Sequence, residues 1–285
     1  MPRDVVVLFP LCILIDAWYH YLRWVPLPEE NEAVVLDIAF PESGVIDVED
    51  RRVYLILHGI NGDSNEGYVV DFIRRQVSQG NIVAVQVTRG IRGYSPILGD
   101  NILHFARISD VSAATRALRK AINRVSPSPN NRMLLAGVGY SMGGIMLANY
   151  VAQSETNDLD AAISLSGALD TKQQMYFERS AYLWQPFIAK AMRDNLLSRY
   201  SRQIKQKLGE EQFQEVMKAQ SLVDFDRALF APYNGFESLD DYYSQMYVIL
   251  SVHCFCSIIP CRCLLTLCFI LSFLSCQGGP WQILI

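Results

Sequence analysis

The chain is 285 residues long, enough for one large domain or two small ones with a sizeable core. Its 25 Lys and Arg against 29 Asp and Glu leave a net charge of −4, so no basic surplus exists to neutralise phosphates and no nucleic-acid partner is expected. Modest Gly and Pro content with 51% apolar residues excludes a disordered tail or a collagen-like repeat.

These averages conceal two populations. Residues 247–285 hold a single charge, Arg262, and six of the seven cysteines, whereas residues 1–246 hold every other charge and only Cys12. At the N-terminus, Val5 to Ile15 is an apolar run followed by Trp18, Tyr19, Tyr21 and Trp24. The run is short against the ~20 residues of a bilayer span. It reads as an anchor or interfacial segment over residues 1–29, its aromatic rings suited to the membrane surface. A buried strand or helix is the second reading. A cleaved signal is the third, with Arg3-Asp4 as a poor leading region and no small-residue cleavage site.

From residue 34 onward the chain alternates. Val34–Phe40 and Val53–Leu57 are β-branched runs that predict strands, the second apolar enough to be buried on both faces. Val69, Phe72, Ile73 and Val77 recur at helical spacing over Tyr68–Val77. Ile82–Val87 predicts a third strand. Val111, Ala114, Leu118, Ala121, Ile122 and Val125 mark a helix that Ser126-Pro127-Ser128-Pro129 ends. Met133–Val138 predicts a strand, Gly143–Gln153 a helix and Ala161–Leu165 a fifth strand. Strands alternating with helices predict a mostly parallel sheet with helices on both faces, an α/β fold. Residues 171–220 lose the strand signal and predict an inserted helical cap, with a solvated helical hairpin as the plainer alternative.

The chemistry centres on Gly139-Tyr140-Ser141-Met142-Gly143, a G-x-S-x-G between a predicted strand and a predicted helix. A strained turn there would expose the Ser141 hydroxyl for attack on a carbonyl, with small residues at Gly139 and Gly143 letting strand and helix approach. The Met142 N–H at the helix start would face the developing oxyanion. His58-Gly59-Ile60-Asn61-Gly62 follows the strand Val53–Leu57, and the Ile60 N–H is the expected second oxyanion donor, Gly59 allowing close backbone approach. His58 is expected to shape this loop by hydrogen bonding, a catalytic base being its other reading. No metal or nucleotide motif is present, so no cofactor is expected.

His58 through Tyr68 (HGINGDSNEGY), Thr88-Arg89-Gly90, Gly139 through Gly144 with Ala148-Asn149-Tyr150, Phe225 through Phe236 and Asp240 through Tyr243 together resemble the AB hydrolase 4 family of the α/β-hydrolases. The resemblance spans about residues 30–246. It implies an α/β-hydrolase fold with a cap insertion at about 171–220, an N-terminal membrane anchor, an acyl-ester or lipid substrate, and a Ser-Asp-His triad. Its members act as serine esterases, monoacylglycerol lipases, phospholipases or acyl-ester synthases.

The same resemblance implies two further strands after Asp-Tyr-Tyr, the first followed by the triad Asp and the second by the His. Beyond Met246 the chain has no Asp or Glu, and no His except His253. Asp170 is the candidate substitute acid, because some α/β-hydrolases carry theirs after the preceding strand. His20, His58, His104 and His253 are the entire histidine inventory, and Ser…Asp…His order leaves His253 alone. Residues 247–285 admit three readings: a transmembrane segment over 254–273 marred by Pro260 and Arg262, a cysteine cluster lacking C-x₂-C pairs, or translated non-coding sequence. Aggregation or membrane association is the physical consequence expected of such a tail.

Overall fold

The computed structural model describes residues 18–41, 51–126, 133–154, 158–168, 170–246, 272–275 and 282–284. The apolar run Val5–Ile15, His253 and all seven cysteines lie outside these residues.

Among the described residues eight strands form one sheet, β1 (Trp18–Leu27), β2 (Glu32–Pro41), β3 (Arg52–Leu57), β4 (Ile82–Val87), β5 (Leu134–Tyr140), β6 (Ala161–Leu165), β7 (Ser272–Ser275) and β8 (Gln282–Leu284). Their spatial order is β1-β2-β4-β3-β5-β6-β7-β8, with β4, β3, β5 and β6 parallel. α1 (Gly67–Ser78) links β3 to β4, α2 (Ser109–Val125) links β4 to β5, and α3 (Met142–Gln153) links β5 to β6. The step from β3 to β4 runs one way across the sheet, and the step from β4 to β5 runs back past β3. Right-handed crossovers therefore place α1 on one face and α2 on the other, and α3 joins α2 because β5 to β6 continues in the same direction.

The side chains obey this division. Ile56, Val83 and Val85 face α1 and pack with Val69, Ile73 and Val77, one helical stripe at i, i+4, i+8. Leu55, Leu57 and Ala84, one position along, face the larger core with Leu118, Ile122, Ile145 and Tyr150. Each fully buried aliphatic side chain contributes about 1.5–3 kcal/mol. The two-residue period on both faces gives the near-continuous apolar strands seen in the sequence. The α/β-hydrolase fold expected from the sequence is present.

Two features differ from expectation. Trp18, Tyr19, Tyr21 and Trp24, grouped by sequence with the N-terminal apolar segment through residue 29, lie in β1, which pairs antiparallel with β2 from Trp18↔Pro41 to Leu27↔Glu32. An outer strand with exposed aromatic residues has the same composition as a membrane-interface segment, and only pairing with β2 distinguishes them. Beyond β6, β7 joins antiparallel in register Ile163↔Phe273, opposite in sense to the four parallel strands, and β8 pairs antiparallel with β7 in register Leu274↔Ile283. Neither strand contains Asp or His.

Residues 171–218 form α4 (Thr171–Met175), α5 (Glu178–Leu183), α6 (Gln185–Leu208) and α7 (Glu210–Lys218). α6 crosses the loops that follow β3 and β4. Arg199 donates to the Ile91 carbonyl, Gln203 Nε2 to the Gly99 carbonyl at 3.0 Å, and Lys207 Nζ to the Asp100 carbonyl at 3.0 Å. After it come α8 (Leu222–Phe225), a π-helical turn (Asp226–Phe230), α9 (Ala231–Tyr233) and α10 (Leu239–Ser244). Among the described residues no helix is long and apolar enough to cross a membrane.

Candidate active site

The crevice lies outside the C-terminal ends of β3 and β5, where successive connections leave the sheet in opposite directions. The register Leu57↔Gly139 brings the two sequence motifs together, although they are some 80 residues apart.

Ser141 occupies the turn between β5 and α3 with φ 52° and ψ −115°. A non-glycine residue at positive φ costs about 1–3 kcal/mol and persists only where its surroundings enforce it. Here the Ser141 N–H donates to the Leu165 carbonyl at 2.8 Å, and its carbonyl accepts from the Ile145 N–H at 3.1 Å. A Cβ on Gly139 would lie 2.4 Å from the Gly143 carbonyl oxygen, and one on Gly143 would lie 2.2 Å from that of Leu57. Both glycines are thus required by backbone contact, and the Ser141 side chain is left exposed.

The loop after β3 is held from two sides. His58 is buried, its Nε2 accepting from the Thr88 N–H at 3.1 Å while Nδ1 donates to the Gly59 carbonyl at 2.7 Å. This pattern requires the neutral Nδ1–H tautomer, and burial lowers the imidazole pKa below its ordinary value. Both ring nitrogens are engaged away from Ser141, so His58 shapes the loop. On the other side the Gly59 N–H donates to the Tyr68 hydroxyl oxygen at 2.9 Å. The Tyr68 and Tyr140 rings lie 4.7 Å apart, and burial raises both phenol pKa values, which keeps them neutral near pH 7.

A cleft of about 440 Å³ opens here, lined by Ile60, Asn61, Tyr68, Tyr140, Ser141 and Ser166 among others. The Ile60 and Met142 N–H groups donate to no other group among the described residues. Met142 is the first residue of α3, where backbone N–H groups lack partners within the helix. The arrangement offers an exposed hydroxyl beside two free N–H groups.

The rest of a triad is not assembled. Among the described side chains, no imidazole or carboxylate hydrogen-bonds the Ser141 hydroxyl. Asp170 caps α4, accepting from the Gln173 N–H at 2.9 Å, and no imidazole contacts it among the described residues. His104 packs edge-on against Phe236 and Tyr242, and burial aided by Arg107 and Arg89 lowers its pKa to about 3. Among the described residues no group of three or more His, Cys, Asp or Glu could hold a metal ion.

Sequence reasoning left Tyr68, Thr88 and Asn195 without roles. Tyr68 and Thr88 fall within the segments that carry the family resemblance, a signal that marked them without explaining them. Asn195 Nδ2 lies 3.5 Å from Asn61 Oδ1 at the cleft wall, a contact across 134 residues with no local signature.

No family model matches the chain. It is 24% identical over 212 residues to the monoacylglycerol lipase of Saccharomyces cerevisiae, covering 72% of this chain and 45% of that protein. An abhydrolase domain-containing protein of Dictyostelium discoideum is 29% identical over 198 residues, covering 68% and 48% respectively. Human phospholipase ABHD3 is 27% identical over 205 residues, covering 70% and 47%. The chain spans about half the length of the curated relatives it matches.

Proposed function

The chain belongs to the α/β-hydrolase superfamily, and from that premise we propose that it is a serine ester hydrolase of the AB hydrolase 4 type acting on acyl esters such as monoacylglycerols. The observation that carries this reading is Ser141, held at positive φ and exposed in a cleft beside unengaged Ile60 and Met142 N–H groups. In the proposed reaction Ser141 Oγ attacks the ester carbonyl carbon, and the two N–H groups hold the resulting oxyanion. The alkoxide then leaves with a proton, and water releases the acyl group from Ser141, or a second alcohol takes it. Gly139 and Gly143 keep the turn tight, while His58 and Gly59 fix the loop carrying Ile60.

Attack requires an acceptor for the Ser141 proton. Asp170 is the candidate acid in the described chain, and His253, the candidate base by chain order, lies outside the described residues. Loss of triad members costs ~10⁴–10⁶ in rate, leaving the catalysis that an oxyanion hole supplies alone. Turnover by this chain is therefore expected to be slow. A second reading, a non-catalytic lipid- or partner-binding protein using the same cleft, is favoured because among the described residues no imidazole or carboxylate hydrogen-bonds the Ser141 hydroxyl. Location at a membrane is part of the proposal, supported by the apolar run Val5–Ile15 and the need to reach lipid esters.

Labelling by a fluorophosphonate probe separates the two, since it needs an activated serine. Labelling and p-nitrophenyl ester hydrolysis that both vanish in Ser141→Ala are the expected result. An unlabelled protein that still binds a fluorescent fatty acyl chain would establish the second reading.

A further inference from the structure

We propose that Ser166 is a specificity-determining residue of the cleft, its hydroxyl hydrogen-bonding a free hydroxyl on the alcohol half of the ester. The assignment to the alcohol half rests on the ester-hydrolase reading, whereas recognition of a ligand hydroxyl by Ser166 does not.

Backbone conformation singles Ser166 out. Among the described residues four non-glycine residues have positive φ, and three of them, Asn61 at 60°, Ser141 at 52° and Ser166 at 55°, line this one cleft. Two have local reasons. Ser141 occupies the turn into α3, and Asn61 is the third residue of a turn closed by the Gly62 N–H on the Gly59 carbonyl at 3.1 Å, a place where asparagine tolerates positive φ. Ser166 has no such reason, and glycine would adopt its conformation more readily.

The backbone on either side of Ser166 is fixed. The Leu165 carbonyl accepts the Ser141 N–H at 2.8 Å, and a Cβ on Gly167 would lie 2.8 Å from the Gly144 carbonyl carbon. The positive φ is thus imposed by how the ends of β5 and β6 pack with the start of α3. What serine adds at this position is a hydroxyl, and Ser166 is exposed and makes no hydrogen bond among the described residues. A strained residue whose polar group serves no partner in the fold points to a ligand contact.

Position says what the hydroxyl meets. β6 lies on the opposite side of β5 from β3, and Leu165 pairs with Tyr140, so Ser166 and Ser141 follow neighbouring strand ends about 5 Å apart. The Ile60 N–H, on the loop after β3, draws the ester's carbonyl oxygen to the far flank of Ser141, and the other substituents of the carbonyl carbon extend toward Ser166. An acyl chain there would leave the hydroxyl desolvated and unpaired, whereas a free hydroxyl on the alcohol half, as in a glycerol monoester, can donate to it or accept from it. Tyr68 and Tyr140 bring two more hydroxyl groups to the cleft, and Glu66 is the one charged residue lining it among the described residues. These walls suit an uncharged polyol over an anionic headgroup.

The test uses the full chain and two non-hydrolysable ligands, 1-O-hexylglycerol and hexyl propyl ether, which share a skeleton and differ by two hydroxyl groups. Isothermal titration calorimetry should show the glycerol ether binding about fivefold more tightly, the worth of one net hydrogen bond. In both Ser166→Ala and Ser166→Gly the ratio should fall close to one, with binding of hexyl propyl ether unchanged and no fall in the thermal unfolding midpoint. Loss of the ratio in the glycine variant alone would assign the effect to backbone shape and overturn the proposal. An unchanged ratio in both variants, equal binding of the two ethers by the unmodified chain, or binding of neither would overturn it as well. Fluorophosphonate labelling reads Ser141 separately: an unlabelled chain that shows the ratio and loses it in both variants would refute the ester-hydrolase reading while upholding hydroxyl recognition by Ser166.

Discussion

Gly143 concentrates the steric demands of the Ser141 turn into one atom. The nearest neighbour of an added Cβ is the Leu57 carbonyl oxygen, part of the backbone of β3, which cannot rotate aside as a side chain could. Gly143→Ala should therefore lower stability by about 3 kcal/mol or more, read as a lower urea midpoint with unchanged slope. Gly93→Ala, where nothing lies within 4 Å of the added carbon, should leave the midpoint unchanged. The need for small residues at 139 and 143 was legible in the sequence, because the turn is a local structure. The identity of the opposing atom was not, since Leu57 arrives only through pairing of β3 with β5.

At the scale of elements, a buried ion cluster ties together segments that no local pattern relates. Arg89, just past β4, is 2% exposed and engages Asp110 in the first turn of α2, Glu32 at the start of β2 and Glu30 before it. Its Nε–H donates to Asp110 Oδ2 at 2.9 Å, and Glu32 also accepts the Leu98 and Gly99 N–H groups at 3.0 and 2.9 Å. Arg107 joins through Glu30 at 2.6 Å. Removing the shared cation leaves the buried Glu32 and Asp110 carboxylates uncompensated, so Arg89→Ala should destabilise by about 3–5 kcal/mol. Lys218→Ala, which breaks an exposed pair with Glu215, should change stability by less than about 1 kcal/mol in the same denaturant titration. Thr88-Arg89-Gly90 stood out in the sequence, but Arg89's partners lie 21 and 59 residues away, beyond any charge periodicity.

For the molecule as a whole, two buried titratable groups oppose each other in the pH dependence of stability. Asp226 is fully buried in the π-helical turn, its Oδ2 accepting the Tyr243 hydroxyl at 2.8 Å, and burial raises its pKa to about 7. Between about pH 4 and 7 the unfolded chain therefore releases a proton that the folded chain keeps, and stability falls as pH rises. His104, with its pKa lowered to about 3, does the reverse: below about pH 6.5 the unfolded chain takes up a proton that the folded chain refuses, and stability falls as pH drops. Across about pH 4–6.5 the two contributions offset one another. Asp226→Asn should remove one of them, making the protein more stable at pH 8 by on the order of 2–4 kcal/mol, with the gain closing toward pH 4. Urea titrations at four pH values check it, and a gain independent of pH would show that Asp226 is not the titrating group.

What the sequence determined by itself was whatever depends on near neighbours. The α/β alternation, the spans of most helices and strands, the strand-Ser141-helix turn and the lack of any Asp or Glu beyond Met246 all follow from spacing and composition along the chain. The tertiary structure decided what depends on distant segments meeting. Strand order set Gly59 beside Ser141, pairing with β2 turned an aromatic N-terminal stretch into β1, and long-range contacts brought Tyr68, Thr88 and Asn195 onto the loop after β3. The division is physical: spacing and propensity act over a few residues, whereas strand pairing and buried ion pairs join residues whose separation in sequence carries no information about their distance in space.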